Sequence, residues 1–120
     1  MAHILTDLNE GVLTISFNRV EKMNALTRDM YAGLTEALNS AAGDFGIRAV
    51  ILTAEGEHFT AGNDILDFMN NPPTAEDSEV AKFLGALLNF PKPLIAAIKG
   101  NAVGVGTTML LHCDIVIADP

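Results

Sequence analysis

The chain has 120 residues, of which 49% are hydrophobic and 6% aromatic, with no Trp, so it suits one domain with an aliphatic core. Fifteen acids against seven bases give a formal charge of −8, and no cluster of Lys and Arg could neutralise a phosphate backbone, which excludes nucleic acid and anionic membranes as partners. The one cysteine, Cys113, sits in an apolar run, where it reads as a small core residue in a reducing compartment, and no apolar run nears the roughly 20 residues of a membrane span. These features give an expectation of a cytoplasmic protein.

His3 to Thr6 and Gly11 to Phe17 read as two strands joined by the polar turn Asp7-Leu8-Asn9-Glu10-Gly11, with Leu13, Ile15 and Phe17 alternating against Val12, Thr14 and Ser16. The charged stretch from Asn18 to Asn24 interrupts the pattern. Thr27 then suits an N-cap, and Met30, Leu34, Leu38, Ala41 and Phe45 recur at helical spacing, which predicts a helix over 27–43 closed by Gly43. Arg48 to Thr53 is a continuous apolar run, expected as a strand covered on both faces, and Glu55 to Asn63 is a loop.

Ile65 to Met69 is a short apolar segment ending at Asn70-Asn71-Pro72-Pro73. Thr74 to Asp77 has the capping-box spacing, and Val80, Phe83, Leu84, Leu87 and Leu88 follow as one helix face that Pro91 and Pro93 end. Leu94 to Ile98 is expected as a buried strand, a short helix follows over about 104–112, and Asp114 to Ala118 reads as a further buried strand. Helices alternating with apolar strands predict an α/β fold with crossover connections. The chain stops just after a strand that should be buried, so it is expected to be the front part of a longer protein.

Two loops carry the chemistry. Gly100, Gly104 and Gly106 follow a strand and enter a helix, so unpaired N–H groups there could hold an anion or an oxygen becoming one; the same glycines also suit a plain strand-to-helix turn. The spacing Gly100-x-x-x-Gly104-x-Gly106 is also that of dehydrogenase nucleotide loops, with Asp119 about where an acid would hold a ribose, although such a loop belongs after the first strand of its fold. His58 to Asp64 likewise leaves a buried strand and opens a short helix. Two such loops at one sheet edge could aim two N–H groups at one carbonyl, while Asp64 could equally be a simple cap. His58, Glu55, Glu57 and Asp67 read as surface, His112 as structural, and no spacing suggests a metal site.

FTAGND at 59–64, NRVEKMNAL at 18–26 and AAIKGNAVGVGTTMLLHCDIVIA at 96–118 together resemble the enoyl-CoA hydratase/isomerase, or crotonase, family. The resemblance implies a crotonase-like ββα spiral, incomplete here, with residues 1–120 as the N-terminal part of one acyl-CoA-binding domain. It implies an acyl-CoA thioester as substrate, coenzyme A as part of that substrate with no permanent cofactor, and a homotrimer or hexamer once the chain is completed. It assigns the two oxyanion-hole N–H groups to Asn63 and Val105. It matches Lys22, Met23, Ala25, Leu26, Ala61, Gly62, Asp64, Ile65 and Gly104 to the segments around coenzyme A. Family hydratases have a glutamate where Thr108 stands, and a threonine hydroxyl is no base near neutral pH without activation. GVGTTMLL is more similar to the Δ3,Δ2-enoyl-CoA isomerases, whose proton-shuttling carboxylate would lie beyond residue 120. An enoyl-CoA hydratase, a non-catalytic acyl-CoA-binding module and an NAD(P)-dependent oxidoreductase are the alternatives.

Overall fold

The computed structural model describes residues 3–70 and 78–119. Five strands form one sheet in the order β1 (Ile4–Asn9), β2 (Val12–Phe17), β3 (Ala49–Ala54), β4 (Leu94–Ile98), β5 (Ile115–Ala118). β1 runs antiparallel to β2 and every later pairing is parallel. Parallel neighbours need a crossover, and the helices supply it. α1 (Arg28–Ala42) joins β2 to β3, α2 (Ile65–Asn70) and α3 (Glu79–Leu88) lie between β3 and β4, and α4 (Val105–Leu110) joins β4 to β5.

The parallel register aligns the core in rows. Leu13, Val50 and Leu94 form one row across three strands, and Ile15, Leu52 and Ala96 the next, all of them buried. Met30, Tyr31, Leu34, Leu38 and Ala41 of α1 and Phe83 and Leu87 of α3 complete this core, with the Tyr31 and Phe83 rings 5.5 Å apart between centroids. Thr27 caps α1 as its sequence predicts, its Oγ1 accepting from the Met30 N–H at 3.2 Å, and Gly43 closes the helix.

Several local expectations are corrected. The β1–β2 turn is only Glu10-Gly11, both at positive φ, because pairing of Leu8 with Leu13 and Asn9 with Val12 extends the strands and a primed turn matches their twist. Phe45 lies beyond the end of α1 and is fully exposed. β3 and β4 are not covered on both faces: Ile51, Ile95 and Ala97 on the face opposite the helices are only half-buried. β5 is exposed at every residue. Leu88, at the last turn of α3, is exposed too. The capping box at Thr74–Asp77 lies outside the described residues; Ser78 is the N-cap of α3, its hydroxyl accepting from the Ala81 N–H at 3.2 Å.

Candidate active site

Three segments meet where β2, β3 and β4 end. The β3 and β4 exits continue side by side: Phe59 N–H donates to the Lys99 carbonyl at 2.9 Å, Thr60 N–H to Asn101 at 3.0 Å, and Val103 N–H to Thr60 at 3.2 Å. The 18–26 segment docks on the other side. Ala61 N–H donates to the Met23 carbonyl at 3.0 Å, Leu26 N–H to Gly62 at 2.8 Å, and Asp64 N–H to Leu26 at 2.9 Å. The loops singled out in the sequence are therefore neighbours, tied by main chain.

This pairing sets the direction of two N–H groups. A trans peptide is planar, with its C=O and N–H pointing opposite ways. The Gly62 carbonyl points at Leu26, so the Asn63 N–H of that same peptide points away from it. The Gly104 carbonyl accepts from Thr107 and Thr108 N–H, at 3.0 and 3.2 Å, so the Val105 N–H points out of the start of α4. Among the described residues neither N–H has an acceptor. Two glycines permit the close approach: Gly62, at φ +93°, where a Cβ would stand 3.1 Å from the Val103 carbonyl oxygen, and Gly106, where one would stand 2.4 Å from the Thr60 Cγ2.

Buried side chains that local sequence pattern does not single out brace the loops. Asn24 is 1% exposed; its Oδ1 accepts from the Arg19 N–H at 2.8 Å, and its Nδ2 donates to the Glu55 and His58 carbonyls, each at 2.8 Å. Thr60 is fully buried, its hydroxyl donating to the Asn24 carbonyl at 2.6 Å and accepting from the Gly62 N–H at 3.1 Å. Arg19 Nη1 reaches the Ala25 carbonyl at 3.1 Å and the Asp64 Oδ2 at 2.7 Å. The one sequence signal was Asn24 itself, at φ +58° after Met23 at +53°, a backbone region in which Asn is the more favoured side chain.

Asp64 is both cap and ion-pair partner. Its Oδ1 accepts from the Asp67 N–H at 2.9 Å at the start of α2, and that bond, followed by Arg19, holds its carboxyl below the ordinary range. Lys22, Met23 and Asn63 are exposed, Ala25 and Ala61 half-buried, and Leu26 buried. Gly104 is exposed, and Ile65 projects into solvent at 76% exposure. A cleft of about 310 Å³ lies behind Met23 and Asn24, lined also by Glu57 and His58. His58 is half-buried, not surface as expected: its Nδ1 accepts from the Asn101 N–H at 3.1 Å.

The Thr108 hydroxyl is exposed and lies 3.5 Å from the Gly104 carbonyl. His112 is exposed one turn further on. Burial, then the Asp114 charge, push the Cys113 thiol up to about 11, so it is no ready nucleophile. The glycine loop follows the fourth strand, and Asp119 N–H only extends the sheet by donating to Ile98, so a first-strand nucleotide loop is not what forms here. Among the described residues no three His, Cys, Asp or Glu gather as a cation site, and no helix is long and apolar enough to cross a membrane.

Comparison with known proteins gives concordant results. The sequence profile described as Enoyl-CoA hydratase/isomerase matches residues 7–120. The human Enoyl-CoA delta isomerase 2 is 36% identical over 91% of this chain and 29% of its own length. The 1,2-epoxyphenylacetyl-CoA isomerase of Escherichia coli (strain K12) is 38% identical over 98% of this chain and 48% of its own. The solved structure of Pseudomonas aeruginosa OdaA superposes with a TM-score of 0.94 at 50% identity, over 98% of this chain and 48% of that one. The chain thus spans about half the length, or less, of these relatives.

Proposed function

This chain belongs to the enoyl-CoA hydratase/isomerase family and has the fold of its crotonase-type enzymes, and from that premise we propose that the protein is a Δ3,Δ2-enoyl-CoA isomerase. Residues 1–120 are then the N-terminal part of one acyl-CoA-binding domain. In this reading the thioester oxygen sits between the Asn63 and Val105 N–H groups. Removing a proton from the carbon next to the thioester puts negative charge on that oxygen, and the two donors stabilise the enolate where it forms. Returning the proton two carbons further along moves the double bond into conjugation. A carboxylate outside these 120 residues moves the proton, and Thr108 shapes the acyl pocket. Lys22, Met23, Ala25 and Leu26, with Ala61, Gly62, Asp64, Ile65 and Gly104, border the coenzyme A portion, and no other cofactor takes part. The complete protein is a cytoplasmic homotrimer or hexamer in the same reading.

The observation that carries this is the pair of N–H groups, without an acceptor among the described residues, on two loops bonded side by side. Isomerase is favoured over hydratase because hydration needs an acid–base pair to add water, and the α4 position that would supply one acid is Thr108, whose hydroxyl lies against the Gly104 carbonyl and is no base near neutral pH without activation. The test is to supply the full-length protein with 3-hexenoyl-CoA and follow the thioester products by chromatography. The expected product is 2-hexenoyl-CoA with no 3-hydroxyacyl-CoA. Hydration as the main outcome, or tight binding without turnover, contradicts the proposal.

A further inference from the structure

The side chain of Asn63 is exposed, yet it is held. Its Oδ1 accepts a hydrogen bond from Tyr31 Oη, and Tyr31 is 2% exposed in the second turn of α1, its ring packed against Phe83. The Tyr31 carbonyl is itself bonded by the Thr35 hydroxyl at 2.9 Å, so the ring stands on an ordered turn. Burial raises the Tyr31 phenol well above its ordinary range, which keeps it protonated as the donor of the pair.

The main-chain bridge to Leu26 fixes the far side of the Gly62–Asn63 peptide, but Gly62 at φ +93° has no Cβ to resist a tilt of that plane. The main chain on both sides of Asn63 is bonded to Leu26, through the Gly62 carbonyl and the Asp64 N–H, and among the described residues its side chain adds one further anchor, the bond from Tyr31. We infer that Tyr31 is a positioning residue of the reaction: by gripping the Asn63 side chain, it sets the angle at which the Asn63 N–H meets the thioester oxygen. The inference rests on the oxyanion-hole reading above. An N–H that is mis-aimed but present should cost less than its removal, for which 10²–10³ in kcat is typical.

The test uses full-length protein and carbonyl-labelled octanoyl-CoA, a saturated thioester that binds without reacting. Infrared difference spectra read the polarisation of its C=O directly, and 3-hexenoyl-CoA kinetics are measured in parallel. Tyr31→Phe keeps the ring against Phe83 and deletes only the hydroxyl. Asn63→Ala cuts the same bond from its exposed end, so it serves even if Tyr31→Phe folds poorly. Wild type should lower the C=O frequency on binding. Both variants, and the double variant no further than either, should return at least half of that shift, with kcat down roughly tenfold and KM within about twofold. A full wild-type shift that survives in both variants overturns the role of Tyr31 alone. Bound octanoyl-CoA with no shift in wild type overturns the oxyanion-hole reading, and the inference with it.

Discussion

Asn24 has every side-chain hydrogen-bonding atom committed while almost wholly buried, and its three partners are main-chain groups of two different loops. Asn24→Ala would remove the partner of the part-buried Arg19 N–H and Glu55 and His58 carbonyls, and would force Ala into positive φ. A buried polar group left unpaired costs about 1–3 kcal/mol, so the expected loss is about 2–4 kcal/mol of unfolding stability by urea titration. A loss below about 0.5 kcal/mol would mean that the loops hold together without it. Position 24 gives only a weak sign of this role in the sequence. Its chemistry depends on contacts more than 30 residues away, and neither helical nor strand periodicity encodes a partner at that separation.

The connection from β3 into α2 is held in part by charge. Ionised Asp64 caps the first turn of α2 and grips Arg19 from the β2 exit. Because its folded-state pKa is depressed, this contribution is fully present above the unfolded carboxyl value, about 3.9, and is lost as pH falls through the lower folded value. Asp64→Asn keeps an acceptor for the Asp67 N–H and removes the charge. The melting-temperature gap between wild type and this variant should therefore be widest near neutral pH, reflecting about 1 kcal/mol, and close as acid protonates Asp64. A gap independent of pH would contradict the assignment. Elements of this kind were well announced locally: Thr27 and Gly43 bound α1, and Pro91 and Pro93 follow α3, because caps and breakers act on their own neighbours. Burial is less legible. Phe45, Leu88 and β5 are apolar and exposed, since hydrophobicity alone does not say what packs against a residue.

At the scale of the molecule, the sheet acts as a jig. Parallel strands place the β3 and β4 exits at the same edge, and their continued pairing through Thr60 and Ala102 brings two glycine-bearing loops into register. The α/β layering is legible from helices alternating with apolar strands, and the adjacency of the loops from two buried strands that each exit into a helix, whereas the spacing of Gly100, Gly104 and Gly106 alone also fits a nucleotide loop or a simple turn and Asp64 alone a simple cap. What the sequence did not disclose was the direction of each N–H, which follows from which carbonyl its own peptide commits to Leu26 or to the first turn of α4. The proposed stabilisation of the enolate by those N–H groups can be tested at a single atom of Val105. Its N–H serves no intrahelical bond, so replacing Val105 with α-hydroxyisovaleric acid in the full-length protein removes that donor while the Gly104 carbonyl, now a weaker ester acceptor, still faces Thr107 and Thr108. The measurement is kcat for 3-hexenoyl-CoA isomerisation in that ester variant. A fall of roughly 10²–10³ with melting temperature preserved is the predicted result. Turnover equal to that of the wild type would contradict the account.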